Sequence, residues 1–317
     1  MNDSWEEENL IVAIVGPTAS GKSALAHKLA LRLQTQIISA DSRLIYKGMN
    51  IGTAKPSIQE QQEVNYHMID LIEPPERFSL GQYIQQSLPI TNTILQNKQL
   101  PLFVGGTGFY LKGLLQGLPL TNVAPNYELR AELDLLSNDE LFQRLRTQDI
   151  KQKWKIHPND RMRLIRALEI ESLCESSQKE EKALRLPAKT LWIGLKAESL
   201  DSLRKRIEGR TQKMLKTGLI GEVESLLKEY GEVEIFNKTI GYKETIDFLK
   251  GQIGSLDELA GKISITSGQY AKRQMTWFRS NRLIKWFDCM QEEESLLSQV
   301  ESFIARDFPS LVVKHET

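Results

Sequence analysis

The sequence Gly16-Pro17-Thr18-Ala19-Ser20-Gly21-Lys22-Ser23 decides the fold of this chain. It matches the phosphate-binding pattern G-x-x-x-x-G-K-[ST] at every defined position. An apolar run over residues 10–15 precedes it and predicts a buried strand, while residues 24–30 follow with helical periodicity. A strand, a glycine loop and a helix in this order predict a P-loop, in which backbone N–H groups and the positive helix end surround a phosphate.

Individual residues of the loop suit a polyphosphate ligand. Gly16 and Gly21 permit tight turns and a close approach of the backbone to the ligand. Lys22 adds a full positive charge, and the hydroxyl of Ser23 is suited to Mg²⁺. The alternative is a glycine turn with an incidental lysine, which the flanking strand and helix disfavour. The loop alone does not identify the ligand.

Length and composition limit the class of protein. The 317 residues suffice for a full core with two domains, or for one domain with a large insertion. Basic and acidic residues number 41 each, so no overall charge favours nucleic acid. No apolar run is long enough to span a bilayer and the first residues are acidic, so we expect neither a membrane span nor a signal peptide.

The cysteines and histidines indicate the compartment and argue against a metal centre. Cys174 and Cys289 are far apart in the sequence, which predicts a reducing, cytoplasmic setting without a disulfide framework. None of the four histidines pairs with a cysteine at the spacing of zinc ligands. We therefore expect no zinc site.

Two further strand-like runs end on polar or glycine-rich turns. Residues 36–41 end on Asp41, and residues 101–104 lead directly into the turn 105–108, Gly-Gly-Thr-Gly. Strands that alternate with helices predict an α/β fold with a P-loop NTPase-like parallel sheet flanked by helices. Because ligands gather at the carboxyl ends of parallel strands, we expect the P-loop, Asp41 and the 105–108 turn to face one cleft.

The pattern changes between residues 118 and 186, where helical periodicity dominates. We predict an all-helical insertion domain over 118–186, within a core formed by 1–117 and 187–317. Residues 175–182 are expected to form a charged connection, and a strand signal returns at 190–195. Long helical segments are predicted over 203–230 and 256–278.

Asp41 is the first candidate for chemistry, and its residue type leaves three roles open. A carboxylate at a strand end beside a phosphate loop can hold Mg²⁺, act as a general base, or cap the following turn. From the sequence alone, capping and metal binding rank ahead of the role of base. Thr107 is the second candidate, since its flanking glycines leave the hydroxyl accessible; a tight strand-to-helix turn is the alternative.

Two stretches are strongly basic within a chain of zero net charge. Residues 144–166 hold eight basic residues against two acidic ones, and residues 262–287 hold six basic residues and no acid. Positive surface binds phosphate backbones and aromatic faces stack on bases, so a nucleic-acid groove is one interpretation. The other is a solvated helix face, with Trp277 and Phe278 in the core. Aromatic residues interleave with the second stretch: Tyr270, Trp277, Phe278, Trp286 and Phe287.

A third basic cluster contains Arg204, Arg206 and Arg210. Arg206 and Arg210 are four residues apart and share one face of the predicted helix. Two guanidinium groups on one face suit a diphosphate, which they can bind through paired hydrogen bonds.

Together these motifs resemble the tRNA dimethylallyltransferases, which prenylate N6 of the adenosine on the 3′ side of the anticodon. The resemblance runs from Gly16 to about Arg279 and depends on an ordered set of segments rather than on one loop. The family commonly has glutamine at the position of Met162, and threonine at that of Ser23. The segments are 16–23, 41–46, 52–56, 105–110, 160–169, 218–223, 240–244 and 272–279.

The resemblance implies a function for these residues. The P-loop, 16–23, with Arg206 and Arg210, would hold the diphosphate of dimethylallyl diphosphate with Mg²⁺ at Ser23. Asp41 would be the base that accepts the N6 proton, with Thr107 as a second catalytic residue. The insertion would bind the anticodon stem-loop of tRNA, and the protein would be a cytoplasmic monomer. The implied tRNA contacts are Asp41, Ser42, Arg43, Leu44, Thr107, Arg130, Met162, Arg163, Leu164, Ile165 and Arg166.

Other functions share parts of this pattern. A small-molecule or nucleotide kinase shares the P-loop and the α/β core, but it leaves the insertion and the basic carboxyl-terminal helix unexplained. Prenylation of a free adenine nucleotide uses the same scaffold without needing the charged insertion. A non-catalytic RNA-binding module would not need Lys22, Ser23 and Asp41 together.

Overall fold

The structure is a computed structural model that describes residues 9–121, 123–147, 156–173, 181–183, 186 and 188–307. The chain divides into two compact units, Met1–Gln116 with Arg185–Thr317, and Gly117–Leu184. The second unit spans nearly the same residues as the predicted insertion. Across the described ranges, every helix is too short or too polar to be a candidate membrane span.

The first unit is built on a six-stranded sheet in which all paired strands are parallel. Its centre, β1, is buried along its whole length, as expected of a continuous apolar run covered by helices on both faces. The strand order is β3-β2-β4-β1-β7-β8. The strands are β1 Leu10–Val15, β2 Ile37–Ser39, β3 Tyr66–His67, β4 Leu102–Val104, β7 Lys189–Lys196 and β8 Ile284–Asp288.

Helices alternate with these strands, as the sequence predicts. The predicted helical segment 203–230 is divided at Gly218, whose φ of 107° ends one helix and begins the next. Pro89 lies inside one helix without ending it. The helices are α1 Lys22–Arg32, α2 Ile58–Glu63, α3 Leu80–Gln96, α4 Gly108–Leu115, α8 Leu200–Thr217, α9 Leu219–Tyr230, α10 Glu234–Asn237, α11 Tyr242–Leu249, α12 Leu256–Arg279 and α13 Glu293–Asp307.

The strand register brings three strand ends to one edge of the sheet. Val104 is the register partner of both Ile14 and Ser39. The chain then continues this contact, because the N–H of Ala40 donates to Val104 O at 2.8 Å. A Cβ on Gly105 would lie 2.1 Å from Ala40 O, so only glycine permits this approach of the two backbones.

The edge strand β8 was not expected, because the predicted helix covered 256–278 and no strand was predicted in the basic, aromatic stretch that follows it. The helix ends at Arg279, and the chain then pairs with β7. Burial along this strand does not alternate strictly: Ile284 and Phe287 are buried, Lys285 is exposed, and Trp286 and Asp288 are half-buried. The hydrophobic pattern of these five residues, with a single solvated lysine, is too short to distinguish a strand from the end of a helix.

Within its described residues, the second unit is helical apart from one short antiparallel ladder, so the prediction of an all-helical insertion is wrong in this detail. The ladder joins β5 to β6, where the chain enters and leaves the unit. Three-residue strands carry no readable periodicity, which explains the omission. Its elements are β5 Pro119–Thr121, α5 Tyr127–Asp134, α6 Asn138–Thr147, α7 Arg161–Leu173 and β6 Glu181–Ala183.

Parts of two predictions fall outside the described residues. These are Lys151, Lys153 and Lys155 of the basic run, and residues 175–180 of the charged connection. Leucine and isoleucine side chains form the core of the second unit: Leu133, Leu141, Leu145, Leu164, Ile165 and Leu168.

A buried carboxylate organises the polar part of this unit. Glu169 is 0% exposed and accepts two hydrogen bonds from Arg130, at 2.8 and 2.7 Å. Arg166 forms a further ion pair with it, and the N–H of Asn126 donates at 2.7 Å. Burial alone would raise the pKa of Glu169, but these hydrogen bonds lower it below its ordinary value. The ionised carboxylate therefore fixes α5 against α7.

We expect Glu169→Gln to lower the free energy of unfolding of this unit by about 3 kcal/mol at neutral pH, since the neutral amide leaves two guanidinium groups without their counter-charge. Because the folded pKa is depressed, the difference from wild type is present above the ordinary pKa of 4.5 and shrinks as the pH falls. Thermal unfolding and hydrogen exchange of α7 amides measure it, with exposed Glu132→Gln as control. A pH-independent difference would contradict this role.

Candidate active site

The P-loop has the geometry that the sequence predicts. Gly16 has a φ of 144°, and a Cβ on it would lie 2.5 Å from Leu195 O of the neighbouring strand. Gly21, at a φ of 87°, is the N-cap of α1. The hydroxyl of Ser20 is buried and, among the described residues, has no hydrogen-bond partner. A buried hydroxyl without a partner is costly unless a ligand binds it, so the loop fits a bound anion.

Lys22 lies at the start of α1 with its amine folded back over the loop. Its Nζ donates to Pro17 O at 2.7 Å. Burial lowers the pKa of Lys22 to about 8, and the charge of Asp41 partly offsets this effect. The amine is therefore close to its titration range near neutral pH, and an anion in the loop would stabilise its charged form.

Asp41 and Thr107 lie on neighbouring turns at the same sheet edge. Asp41 Oδ1 accepts from the N–H of Arg43 at 2.8 Å, so the turn-capping role considered for it is present. This hydrogen bond uses one carboxylate oxygen and does not exclude a chemical role for the other. Thr107 Oγ1 accepts from the N–H of Ser42 at 3.0 Å and thereby ties the two turns together.

The two arginines predicted as a pair have different surroundings. Arg210 donates from NH1 to Thr18 Oγ1 at 2.8 Å, and burial lowers the pKa of its guanidinium. Arg206 donates to Cys289 O at 2.7 Å, with its NH2 lying 3.0 Å from the Cβ position of Gly21. Both lie beside the loop, but only Arg210 lines the cleft described next.

Lys22, Asp41 and Arg210 line a cleft of about 310 Å³ in the first unit, whereas Thr107 lies outside its lining. One part of its lining is polar and ionic, with Lys22, Ser23, Asp41 and Arg210. Another part is apolar, so the cleft can hold a ligand that combines an anionic group with a hydrocarbon group. The apolar lining residues are Leu44, Val104, Ile207, Met214, Ile240 and Ile263.

Gln274 of α12 is a site residue whose role the sequence did not indicate. Its Oε1 accepts from the N–H of Thr18 at 2.8 Å, and its Nε2 donates to Gly106 O at 3.1 Å. A Cβ on Gly106 would lie 2.0 Å from Nε2, so this contact also requires glycine. One amide thus connects the P-loop to the 105–108 turn, across 256 and 168 residues of sequence.

The aromatic residues of α12 do not all follow the prediction. Phe278 is buried as expected, but Trp277 is 42% exposed, so its assignment to the core is wrong. Its indole packs against Gly108, where a Cβ would lie 2.0 Å from Nε1. The missing side chain of Gly108 provides the space for the ring, and the sequence pattern of α12 alone does not reveal this. Tyr270 and Arg273 line the cleft instead.

The residues expected to contact tRNA in the second unit fall into two groups. Met162 is 72% exposed, and the side chain of Arg163 is 67% exposed. Leu164 and Ile165 are buried in the core of the unit, so their side chains are not available to RNA. The prediction that these two side chains contact tRNA is therefore wrong, because a helix that packs on one side presents only some of five consecutive residues to solvent. Arg130 and Arg166 hold Glu169.

Comparison with known proteins relates this chain to one family. The IPP transferase family model matches residues 44–281, and the isopentenyl transferase model matches residues 9–71. A tRNA dimethylallyltransferase of Gloeothece citriformis is 42% identical over 308 residues, which cover 96% of this chain and 99% of the relative. One of Synechococcus elongatus is 38% identical over 300 residues, covering 92% of this chain and 95% of the relative.

Solved structures with the same architecture carry related names. The full-length tRNA isopentenylpyrophosphate transferase of Bacillus halodurans matches with a TM-score of 0.71 and 34% identity, covering 98% of this chain and 100% of that one. A tRNA delta(2)-isopentenylpyrophosphate transferase of Staphylococcus epidermidis matches with a TM-score of 0.67 and 31% identity, covering 94% and 99%. A eukaryotic dimethylallyltransferase acting on tRNA shares the fold, with a TM-score of 0.79 and 24% identity. The match covers 95% of this chain and 80% of that one.

We expect the charge of Lys22 to make anion binding depend on pH. Since the pKa of Lys22 is about 8 without ligand, the amine loses its charge as the pH rises further. The ratio to follow is the association constant of the wild type for inorganic pyrophosphate divided by that of Lys22→Arg. This ratio should fall by up to about tenfold per pH unit above the pKa of Lys22. The ratio removes the titration of pyrophosphate itself, because arginine stays charged. Calorimetric titration measures it, and a ratio independent of pH would contradict the assignment.

Proposed function

This chain belongs to the IPP transferase family, and from that premise we propose that it transfers a dimethylallyl group from dimethylallyl diphosphate to N6 of the adenosine on the 3′ side of the anticodon in tRNA. Diphosphate is the second product. One observation supports this most strongly: a P-loop, a strand-end carboxylate and an apolar wall line the same cleft. A prenyl diphosphate needs an anion site and a hydrocarbon site next to each other.

The diphosphate would bind in the P-loop. The loop N–H groups, the Ser20 hydroxyl, the Lys22 amine and the Arg210 guanidinium supply donors and positive charge there. As the C–O bond of the substrate breaks, negative charge grows on the leaving diphosphate. Donors that are already oriented toward it stabilise the transition state more than the ground state.

The site also fits a divalent ion that binds together with the diphosphate. The Ser23 hydroxyl lines the cleft and is an oxygen ligand of the kind that Mg²⁺ prefers. Among the described residues, no three His, Cys, Asp or Glu side chains group as a metal site. Mg²⁺ usually binds through one or two protein oxygens and substrate phosphates. The ion would neutralise charge on the diphosphate.

Asp41 is proposed as the base. The N6 nitrogen of adenine attacks the first carbon of the dimethylallyl group as the bond from that carbon to the diphosphate oxygen breaks. The Asp41 carboxylate accepts the proton that N6 loses, which keeps the product amine neutral. Its hydrogen bond from the N–H of Arg43 fixes the carboxylate in the cleft. Thr107 is proposed to act beside it, by holding the 41–44 turn through Ser42.

The polynucleotide would be bound mainly by basic and exposed residues. Met162 and Arg163 of α7, together with Arg144 and Arg146 of α6, are proposed to contact the anticodon stem-loop. The target adenine must leave its base stack to reach an enclosed cleft. We propose that the protein acts as a monomer in the cytoplasm, where its tRNA substrate is found.

Mass spectrometry of the reaction products tests the proposed function. The protein is incubated with dimethylallyl diphosphate and with unmodified tRNA, AMP or ADP in parallel, and with ATP in place of the prenyl donor. We expect one dimethylallyl group on tRNA alone. Prenylated AMP or ADP would favour the free-nucleotide alternative, and phosphoryl transfer from ATP to a small acceptor would favour a kinase.

We expect Asp41→Ala to lower kcat by about 10²- to 10⁴-fold, the usual contribution of a general base. The affinity for tRNA should stay within a few-fold of wild type, because the carboxylate acts on a proton rather than on the phosphate backbone. Single-turnover kinetics and a tRNA binding titration measure the two effects separately. A variant with near-normal turnover would reject Asp41 as the base.

Arg163→Ala should weaken tRNA binding and reduce the slope of log affinity against log salt by about one, as the loss of one phosphate contact predicts. Lys98→Ala is the control, since this exposed lysine precedes β4 at the opposite edge of the sheet. It should leave the slope unchanged. Equal slopes for Arg163→Ala and wild type would remove α7 from the proposed tRNA interface.

A further inference from the structure

One carboxylate outside the cleft accepts hydrogen bonds from three consecutive residues of a loop that lines it. Glu222 Oε2 accepts from the N–H groups of Asn50 and Ile51 at 3.0 and 2.7 Å. Its Oε1 accepts from the N–H of Gly52 at 3.2 Å and from the hydroxyl of Tyr242 at 2.6 Å. Four donors thus converge on a single carboxylate. The three backbone donors lie 172, 171 and 170 residues before Glu222 in the sequence.

This arrangement is an anion site in the backbone that the chain fills with its own side chain. Consecutive N–H groups that point to one side form a concave, positive surface, and a carboxylate is the charge that it prefers. A local hydrogen bond also supports the loop, since the hydroxyl of Thr53 donates to Met49 O at 2.6 Å. A Cβ on Gly52 would lie 2.4 Å from the ring of Tyr242, so the loop also sits tightly on this aromatic side chain.

The loop connects this carboxylate to the proposed diphosphate site. Gly52, Thr53 and Ala54 line the cleft. Thr53 O accepts from NH2 of Arg210 at 3.4 Å, while NH1 of the same guanidinium donates to Thr18 Oγ1 at 2.8 Å. Arg210 is therefore held between the P-loop and the loop that Glu222 fixes.

Packing of the helix does not need this carboxylate. Leu219, Val223 and Leu226 bury the inner face of α9, together with Tyr242 in the same core cluster. Glu222 lies at the half-buried edge of that face, and its charged group contacts the 50–52 backbone rather than the core. Its removal should disturb the loop more than the helix.

We propose that Glu222 is a positioning residue for the diphosphate substrate, and that the 50–52 backbone is an anion site which accepts a small carboxylate when Glu222 is removed. The inference builds on the proposed function, because it assigns Arg210 to the diphosphate. Glu222 fixes the N–H groups of residues 50–52, these fix the carbonyl of Thr53, and that carbonyl orients Arg210 toward the P-loop.

The test compares Glu222→Ala and Glu222→Gln with a matched control, Glu224→Ala, an exposed position on the same helix. We expect Glu222→Ala to raise the KM for dimethylallyl diphosphate about tenfold, which corresponds to losing one well-placed interaction. The KM for tRNA should not change. Glu222→Gln keeps one acceptor oxygen and should lie between wild type and Glu222→Ala, and Glu224→Ala should match wild type.

Chemical rescue distinguishes an anion site from a merely structural glutamate. The atoms deleted in Glu222→Ala, one methylene and one carboxylate, amount to acetate. Added acetate should lower the KM of Glu222→Ala toward the wild-type value, whereas pivalate at the same ionic strength is too bulky for the vacated space. Neither anion should affect wild type or Glu224→Ala. Hydrogen exchange at the amides of residues 50–52 should be faster in Glu222→Ala and slow again with acetate.

The outcomes separate this inference from the proposed function. A wild-type protein that does not prenylate tRNA contradicts the proposed function, whereas the exchange experiment still tests the anion site. An active wild type with an unchanged KM in both Glu222 variants overturns the positioning role. A raised KM without rescue, and with exchange at residues 50–52 unaffected by acetate, overturns the anion site. If Glu222→Ala does not fold, Glu222→Gln supplies the KM and exchange comparison.

Discussion

The parallel pairing of β4 with both β1 and β2 is the constraint on which the site depends. Because Val104 has Ile14 and Ser39 as partners on its two sides, the three strands end together. Each strand then continues into a different functional turn: the P-loop, the turn at Asp41 and the turn at Thr107. The approach is so close that a side chain at Gly105 would collide with the backbone of Ala40. Backbone geometry thus sets the distance between the P-loop and the turn at Asp41 before any side chain contributes.

Side chains from distant helices complete this arrangement, and each of them contacts backbone. Gln274 joins the P-loop to the 105–108 turn, and Glu222 holds the loop beside Arg210. Arg206 holds the chain after β8 through Cys289 O. Hydrogen bonds of this kind stabilise irregular loops that regular secondary structure cannot. They give a structural reason for the segments 218–223 and 272–279 of the motif set, which lie far from the P-loop in sequence.

The P-loop, the three strand ends and the helical insertion could be predicted from the sequence because each leaves a local pattern. Glycines at fixed spacing, apolar runs and a 3.6-residue period are readable within one window. The roles of Gln274 and Glu222 could not be predicted, since a single polar side chain that contacts a backbone 170 residues away creates no periodicity. Trp277 was misplaced for a related reason: the position of its ring depends on the missing side chain of Gly108, in another helix. Leu164 and Ile165 were included with their neighbours, but the helix turns them into the core.

The most direct test of this account is a crystal structure of the protein with a non-reactive thiodiphosphate analogue of the prenyl donor and an anticodon stem-loop. The account predicts that the diphosphate lies against the P-loop and Arg210, that the hydrocarbon lies along Met214 and Ile263, and that adenine N6 lies within hydrogen-bond distance of Asp41. A stem-loop whose adenine stays stacked, or a diphosphate bound outside the P-loop, would contradict it.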